Sequence, residues 1–283
     1  MVLLRDKPEK SGIEVFLLRR HTDSAVLGGA YVFPGGKLDD ADTDAHWSAH
    51  LDVFPAQLHA SLCEPDLSVA SAVGLYVTAV REALEECGVL LASSAGQHTD
   101  TVQRQAWQKR LHTGESFAVV AQEAELQIDT QHLAPWSRWI TPYRPSVTNK
   151  RFDTRFFVAA LPQGQSPVHD NLEAIDSLWL TPEDALRRYW DQSISLAPPQ
   201  ILTLVNLIGF KNVESVLREA RSRRPATVLP ETYDVEGVRH MCYPGHPRHP
   251  VKQRAMKGPL SLSFVDGRFD PEGGLNDLLN PQG

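Results

Sequence analysis

Cysteine is scarce in this chain of 283 residues, with only Cys63, Cys87 and Cys242 present. None forms a C-x-x-C pair, so neither a zinc site nor a disulfide framework is indicated, and reduced thiols in a cytoplasmic protein are the expectation. Long apolar runs are missing as well. The longest, Ile201 to Phe210, falls well short of the roughly 18–20 residues a membrane helix needs, so no membrane partner is expected. Arg5, Asp6 and Lys7 break the apolar start at once, which argues against a cleavable signal. The tripeptide Pro281-Gln282-Gly283 is no peroxisomal address. Positive charge is also in deficit: 28 Lys and Arg face 35 Asp and Glu, a formal net charge of −7. That balance argues against broad nucleic-acid binding, which needs a basic face. It leaves room for a small phosphate ligand, served by a few local cations or by Mg²⁺. Hydrophobic residues make up 42%, enough to bury a substantial core.

Along the chain, Val2 to Leu4 and Ile13 to Leu18 read as strands joined through a polar loop with Pro8 and Gly12. Ala30 to Phe33 is a further short strand between Gly28-Gly29 and Pro34-Gly35-Gly36. Residues 43–66 are mixed and suit an inserted loop with one or two helical turns. A long helix follows from about Leu67 to Cys87, capped by Asp66 or Ser68 and stopped by Gly88. Ser93 to Asp100 reads as a polar loop. Two helical stretches come next, about Thr101–Leu111 and Ser116–Glu125. Strands resume at Trp139-Ile140, Thr154–Ala160 and Ser177–Leu180. Thr181-Pro182-Glu183-Asp184 is a well-formed helix start, with a cap, a proline at the first position and acids in the first turn. Pro198-Pro199 opens one long helix ending near Arg224. The tail beyond Pro225, rich in Pro, Gly and His, is expected to be irregular with short strands and disordered from about Gly273.

The long helix carries the informative feature. At 100° per residue Val73, Val77, Val80 and Leu84 form one apolar stripe, and Glu82, Glu85 and Glu86 crowd within one turn on the other side. Alone, such a cluster describes a solvated acidic face. Oxygen-only ligands would suit a hard cation such as Mg²⁺ or Mn²⁺. Arg81 stands four residues before Glu85 and can brace its carboxylate. Upstream, Gly35-Gly36 in Phe33-Pro34-Gly35-Gly36 allows close backbone approach to a ligand.

Gly36, Arg81, Glu82, Glu85, Glu86, Gly88 and Val89 together resemble the Nudix box, G-x5-E-x7-R-E-U-x-E-E-x-G-U. Two departures stand out. The first glutamate position is Asp42, and Asp39, Asp40 and Asp44 are close enough to compete with it. Between Asp42 and Arg81 lie 38 residues, where the pattern has seven. A box interrupted there is similar to the branch that includes the coenzyme A diphosphatase of animal peroxisomes and its bacterial relatives. Arg151 to Phe157, Trp179-Leu180-Thr181-Pro182 and Pro198-Pro199-Gln200 extend the likeness. A coenzyme A signature found ahead of the box in other family members is only partial. Leu17-Leu18-Arg19-Arg20 fits its start, but no arginine follows between Ser24 and Gly29.

The resemblance implies an α/β fold: a Nudix-type α/β/α sandwich around a mixed sheet, with an insertion in the box and a C-terminal helical extension. The corresponding organisation is a Nudix domain over 1–195, a packed helix over 196–224 and a tail over 225–283. It implies metal-dependent hydrolysis of a pyrophosphate bond, with coenzyme A or acyl-CoA as leading substrate. NADH, ADP-ribose, a sugar nucleotide or a dinucleotide polyphosphate is the alternative, as is a non-catalytic nucleotide sensor. Glu82, Glu85, Glu86 and the Gly35 carbonyl would hold Mg²⁺ or Mn²⁺. Glu82 is a base candidate, and Asp42 and Arg81 would orient the carboxylates. Gly36 would lie at the substrate. Arg19, Arg144, Lys150, Arg151 and Arg155 are candidates to meet phosphates, although each taken singly is better read as a salt bridge or exposed charge. Trp136, Trp139 and Tyr143 are stacking candidates or core aromatics. His46 with His50, and His240 with His246 and His249, read as surface groups lacking a full ligand set. A homodimer is part of the family expectation.

Overall fold

The computed structural model describes every residue except Glu9, Ala25, Ala95, 144–150 and 282–283, and of His98 the backbone alone. Arg144 and Lys150 lie outside the described residues.

An unbroken apolar run such as Val2-Leu3-Leu4 suits a strand covered on both faces. In β1 (Val2–Asp6), Val2 and Leu4 enter one core and Leu3 the other. In β2 (Ile13–Arg20), Val15 and Leu17 oppose Phe16 and Leu18 in the same way. Period-two alternation thus splits the interior into two cores separated by the sheet. β3 (Tyr31–Val32) pairs with β2. Two 3-10 turns, Asp40–Thr43 and Ala45–His50, then lead to α1 (Pro55–Leu62) and α2 (Val69–Cys87). The insertion is therefore ordered, and Trp47 within it is completely buried. Ser68, not Asp66, caps α2, and Gly88 ends it in the left-handed conformation.

The stretch expected as a polar loop contains β4 (Ala92–Ser94) and β5 (Gln97–His98). After α3 (Thr101–His112) and α4 (Phe117–Glu123), β6 (Leu126–Ile128) pairs back to β4 to complete a small sheet. β7 (Leu133–Ile140), β8 (Asp153–Ala160) and β9 (Ala174–Leu180) return to the large sheet, and α5 (Pro182–Trp190) follows, capped by Thr181 as expected.

The expected single helix over 196–224 is two: α6 (Pro198–Leu207) and α7 (Val213–Ser222). Gly209 takes φ +87° and Asn212 caps the second helix through its side chain, so the chain turns where a continuous helix was read. The tail is ordered too. β10 (Ala226–Val228) adds to β7, and β11 (Glu231–Val235), β12 (Val238–Cys242), β13 (Ser261–Val265) and β14 (Arg268–Asp270) form an antiparallel meander. α8 (Leu275–Leu279) stands where disorder was expected, and its Leu278 is fully buried. Met241, Tyr243, Leu262, Phe269 and Leu278 enter the core of α5 to α7, so the tail covers an apolar face that polar composition concealed.

Among the described residues the large sheet runs β10-β7-β8-β1-β2-β3, with β9 also on β2. The β1–β8 and β7–β10 pairs are parallel and the others antiparallel, which makes the sheet mixed. α2 covers one face, and α5 to α7 cover the other. The α/β sandwich expected from the resemblance is the observed architecture.

Replacing Leu278 by alanine should cost about 2–5 kcal/mol, the usual range for a fully buried leucine. Urea denaturation checks it; a loss under about 0.5 kcal/mol, typical of a surface change, would mean the tail is not part of the cooperative fold.

Candidate active site

The last two turns of α2 place three glutamates at the helix's C-terminal end. That end carries partial negative charge from unsatisfied carbonyls, so carboxylates there are disfavoured and cations favoured. No basic residue occupies the last turn. The helix is also buried on its acidic side, with Glu86 only 6% exposed. Burial is the main cause that raises all three carboxyls above their usual 4.5. Glu82 is pushed to about 7, with Arg81 opposing and Glu85 assisting. Glu86 is pushed to about 8, against the Gly35 hydrogen bond and with help from Glu82.

Arg81 is the cation of the cluster. Its Nε donates to Asp42 Oδ1 at 3.1 Å and its Nη2 to Asp42 Oδ2 at 2.9 Å. Nη2 also donates to the Lys37 carbonyl at 2.8 Å. Nη1 donates to Glu82 Oε1 at 2.8 Å and Glu85 Oε2 at 3.0 Å. Burial alone would lower the Arg81 pKa, but Asp42, Glu82 and Glu85 together raise it, so the guanidinium stays charged. Of the four competing aspartates, Asp42 is the buried one, at 2% exposure, and it forms the two-point pair. Asp39 reaches Arg81 only at 3.5 Å. Asp42 also accepts the Asp39 N–H at 3.1 Å, and the Thr78 hydroxyl lies 2.8 Å away. Gly74 makes this approach feasible: a β-carbon there would come within 2.8 Å of Thr43 and 2.9 Å of Leu38.

The glycine loop closes over the acids. Gly35 donates its N–H to Glu86 Oε2 at 2.7 Å, and a β-carbon on Gly36 would overlap the Glu82 carboxylate. Phe33 anchors this loop edge-on against Phe156. The donor set fits a hard divalent cation. It is all oxygen, it is desolvated, and Glu82, Glu85 and Glu86 each keep one carboxylate oxygen outside the bonds above. As arranged here, two glutamates face Arg81 and one faces Gly35. Among the described residues no three such side chains are drawn to a single ligand point.

The basic candidates separate. Arg155 was expected at phosphate, but it is held in ion pairs to Glu64 at 2.5 Å and Asp153 at 3.1 Å. Glu64 precedes the N-terminal end of α2, and the helix from Val69 to Glu82 rises about 20 Å. Arg151, expected at phosphate, lies over the Tyr143 ring and donates to the Thr141 carbonyl. Arg19 shares the face of Tyr31 and Asp176, which bond to each other at 2.6 Å across it. That is the sheet face opposite α2. A register shift after Arg19 pairs Arg20 with Ala174 instead, and Ala174 belongs to the α2 core. The Arg20 Nε is buried without a partner. Glu173, beside Ala174, adds negative charge to the surroundings of both Glu82 and Glu86. Arg20 thus shares the α2 side of the sheet, and Glu173, which no sequence motif singles out, comes to the acids through its place beside β9. Trp136 and Trp139 are core residues. His50 bonds the Leu126 carbonyl and His249 the Leu229 carbonyl, both as structural groups.

Removing the Asp42 carboxylate leaves the buried Arg81 Nε without an acceptor while Glu82, Glu85 and the Lys37 carbonyl still hold the other nitrogens. Asp42→Ala should therefore destabilise by about 1–3 kcal/mol in chemical denaturation, against under about 1 for an exposed pair. A second expectation concerns protein stripped of metal. Glu82 and Glu86 have folded pKa values above 4.5, so their stabilising contribution is complete below pH 4.5 and disappears as pH rises through about 7 and 8. Thermal midpoints should fall across that window, and less so in Glu86→Gln. Parallel curves for the two proteins would contradict the assignment of buried carboxyls.

Comparison with known proteins gives a consistent result. Residues 4–207 match the family model described as the NUDT19 Nudix domain. Curated relatives named acyl-coenzyme A diphosphatase NUDT19 include one from Xenopus laevis, 28% identical over 73% of this chain and 62% of its own length. The Gallus gallus protein of that name is 28% identical over 74% of this chain and 65% of its own length. The chain thus spans just under two thirds of the length of these relatives. Among solved structures, a Nudix hydrolase from Alicyclobacillus acidocaldarius superposes with TM-score 0.59 at 27% identity, covering 79% of this chain and 94% of that one. With the matched region taking in most of the large sheet, α2 and the glycine loop, this chain belongs to the NUDT19 Nudix domain family.

Proposed function

We propose that this protein hydrolyses the pyrophosphate bond of coenzyme A or acyl-CoA, giving 3′,5′-ADP and (acyl-)phosphopantetheine, with Mg²⁺ or Mn²⁺. The observation that carries the reading is three desolvated carboxylates at the negative end of a helix, an arrangement that like-charge repulsion and the helix dipole both oppose without a cation. The names of the relatives support the substrate class.

Glu82, Glu85 and Glu86, with the Gly35 carbonyl, would hold the divalent cation. When bound, it would neutralise diphosphate charge and make water more acidic. Arg81 and Asp42 fix where Glu82 and Glu85 stand, through bonds to both carboxylates and to the insertion. Glu82 is a base candidate, since its pKa near 7 in the metal-free protein suits proton uptake at neutral pH. Glu173 offers a second carboxylate from the β9 side. The water oxygen attacks one phosphorus, its proton passes to the base, and the bridging P–O bond breaks. Gly36, lacking a side chain, lets the loop backbone lie directly against the Glu82 carboxylate, and Arg20 replaces Arg19, Arg151 and Arg155 as the basic side chain proposed to meet phosphate.

Incubation with Mn²⁺ or Mg²⁺ and a panel of coenzyme A, acyl-CoA, NADH, ADP-ribose and dinucleotide polyphosphates tests this, with products identified by mass. Metal-dependent 3′,5′-ADP is the expected product. Release of a different nucleotide would overturn the substrate while keeping the chemistry. Glu85→Gln should lower kcat by more than the roughly 10–100-fold that loss of a merely supporting group costs. Retained turnover in a folded Glu85→Gln protein would refute the metal-ligand role.

A further inference from the structure

The acidic turn of α2 is held from outside by groups that the reaction as written does not use. A helix ends with four carbonyls that lack intrahelical donors. At the end of α2 the backbone supplies part of the need: Gly88 N–H donates to the Leu84 carbonyl and Val89 N–H to that of Ala83. The Cys87 carbonyl takes the Val168 N–H at 3.1 Å. The Glu85 carbonyl is served by side chains of α3. Gln108 Nε2 donates to it at 2.9 Å, and His112 Nε2 lies at 2.9 Å from the same oxygen. A carbonyl only accepts, so Nε2 of His112 carries the proton in this bond.

Gln108 and His112 are four residues apart, on one stripe of α3 beside Trp107 and Leu111, which are buried in the α2 core. The apolar pair docks α3, and the polar pair is thereby aimed at the helix end. His112 also lies 4.0 Å from Asp170, whose carboxylate is buried and accepts the N–H groups of Leu172, Glu173 and Ala174 at 3.0–3.1 Å. The same imidazole therefore stands between the turn bearing Glu85 and the turn bearing Glu173.

We propose that Gln108 and His112 are positioning residues for the divalent cation. Repulsion among Glu82, Glu85 and Glu86, together with the unfavourable dipole, works to fray this turn. Two donors on the Glu85 carbonyl oppose that fraying and keep the carboxylates in register for the ion before it arrives. The proposal rests on the reading that these carboxylates hold a metal.

Binding of Mn²⁺, read from the electron paramagnetic resonance of the free ion, tests it without reference to any substrate. Gln108→Leu/His112→Leu should weaken Mn²⁺ binding about 10-fold, the scale of losing supporting partners of a metal ligand. His112→Gln should recover much of the affinity lost in His112→Leu, because the amide nitrogen can reach the same carbonyl. Circular dichroism and thermal midpoints of the two single variants control for folding. A merely structural role would give them equal affinities whatever their stability. An Mn²⁺ affinity within twofold of wild type in the folded double variant would overturn the proposal. Failure of the wild-type chain to bind Mn²⁺ would sink the metal reading as well. Binding without coenzyme A cleavage would sink only the substrate, and the variants would still decide the role of α3.

Discussion

One guanidinium orders the acidic end of α2. Arg81 is buried, charged, and bonded at once to Asp42, Glu82, Glu85 and the Lys37 carbonyl. It stands against four carboxylates, counting Glu86, and so does not neutralise them. Its effect is geometric: a planar fork with five donors fixes several oxygens at set angles, which a lysine could not do. The remaining negative charge is what makes the place suited to a cation. A helix end designed only for stability would carry lysine or arginine where this one carries glutamate.

The architecture supplies the conditions under which that arrangement persists. Apolar strands split their side chains between two cores, so α2 is packed along its length and its last turns cannot swing into water. The Val73, Val77, Val80 and Leu84 stripe faces the sheet, while the glycine loop covers the acids. Desolvation then raises the carboxyl pKa values, which couples metal binding to proton release. The α3 side chains and the 168–174 segment hold the helix end from its other sides.

Local features of the sequence were legible because their causes are local. The apolar stripe, the Ser68 cap and the Gly88 stop of α2 depend only on neighbours a few residues away, as does the Thr181-Pro182 start of α5. The i,i+4 spacing of Arg81 and Glu85 foretold their ion pair. Features set by pairing across the chain were not legible. Arg19 and Arg20 face opposite sides of β2 by strand alternation, but which side meets α2 is decided only when the strands and helices assemble. For Arg155 the sequence leaves a salt bridge open but does not name its partner, Glu64, 91 residues away. Glu173 has no motif, only a position next to Ala174. The tail misled for a different reason. Its apolar residues are sparse, yet a two-residue strand period needs few of them to cover a face already offered by α5 to α7.

The long interruption of the box shows why a linear pattern can break while the site it encodes does not. Closing a loop costs about 0.6 kcal/mol per doubling of its length. Going from seven to 38 residues between Asp42 and Arg81 is a little over two doublings, so the added closure cost is about 1.5 kcal/mol. Against this, the insertion brings Trp47, fully buried and stacked on Phe117 at 5.3 Å, with its indole N–H on the Ala41 carbonyl at 2.8 Å. A buried tryptophan removes roughly 200 Å² from water, worth about 5 kcal/mol before ordering entropy is subtracted. The closure penalty is thus small beside what the insertion itself buries, and Gly74 lets its first turn sit directly on α2. Asp42 is therefore delivered to Arg81 by a packed element rather than by a slack loop. The box survives as a set of contacts in space, and its spacing in the chain is free to change.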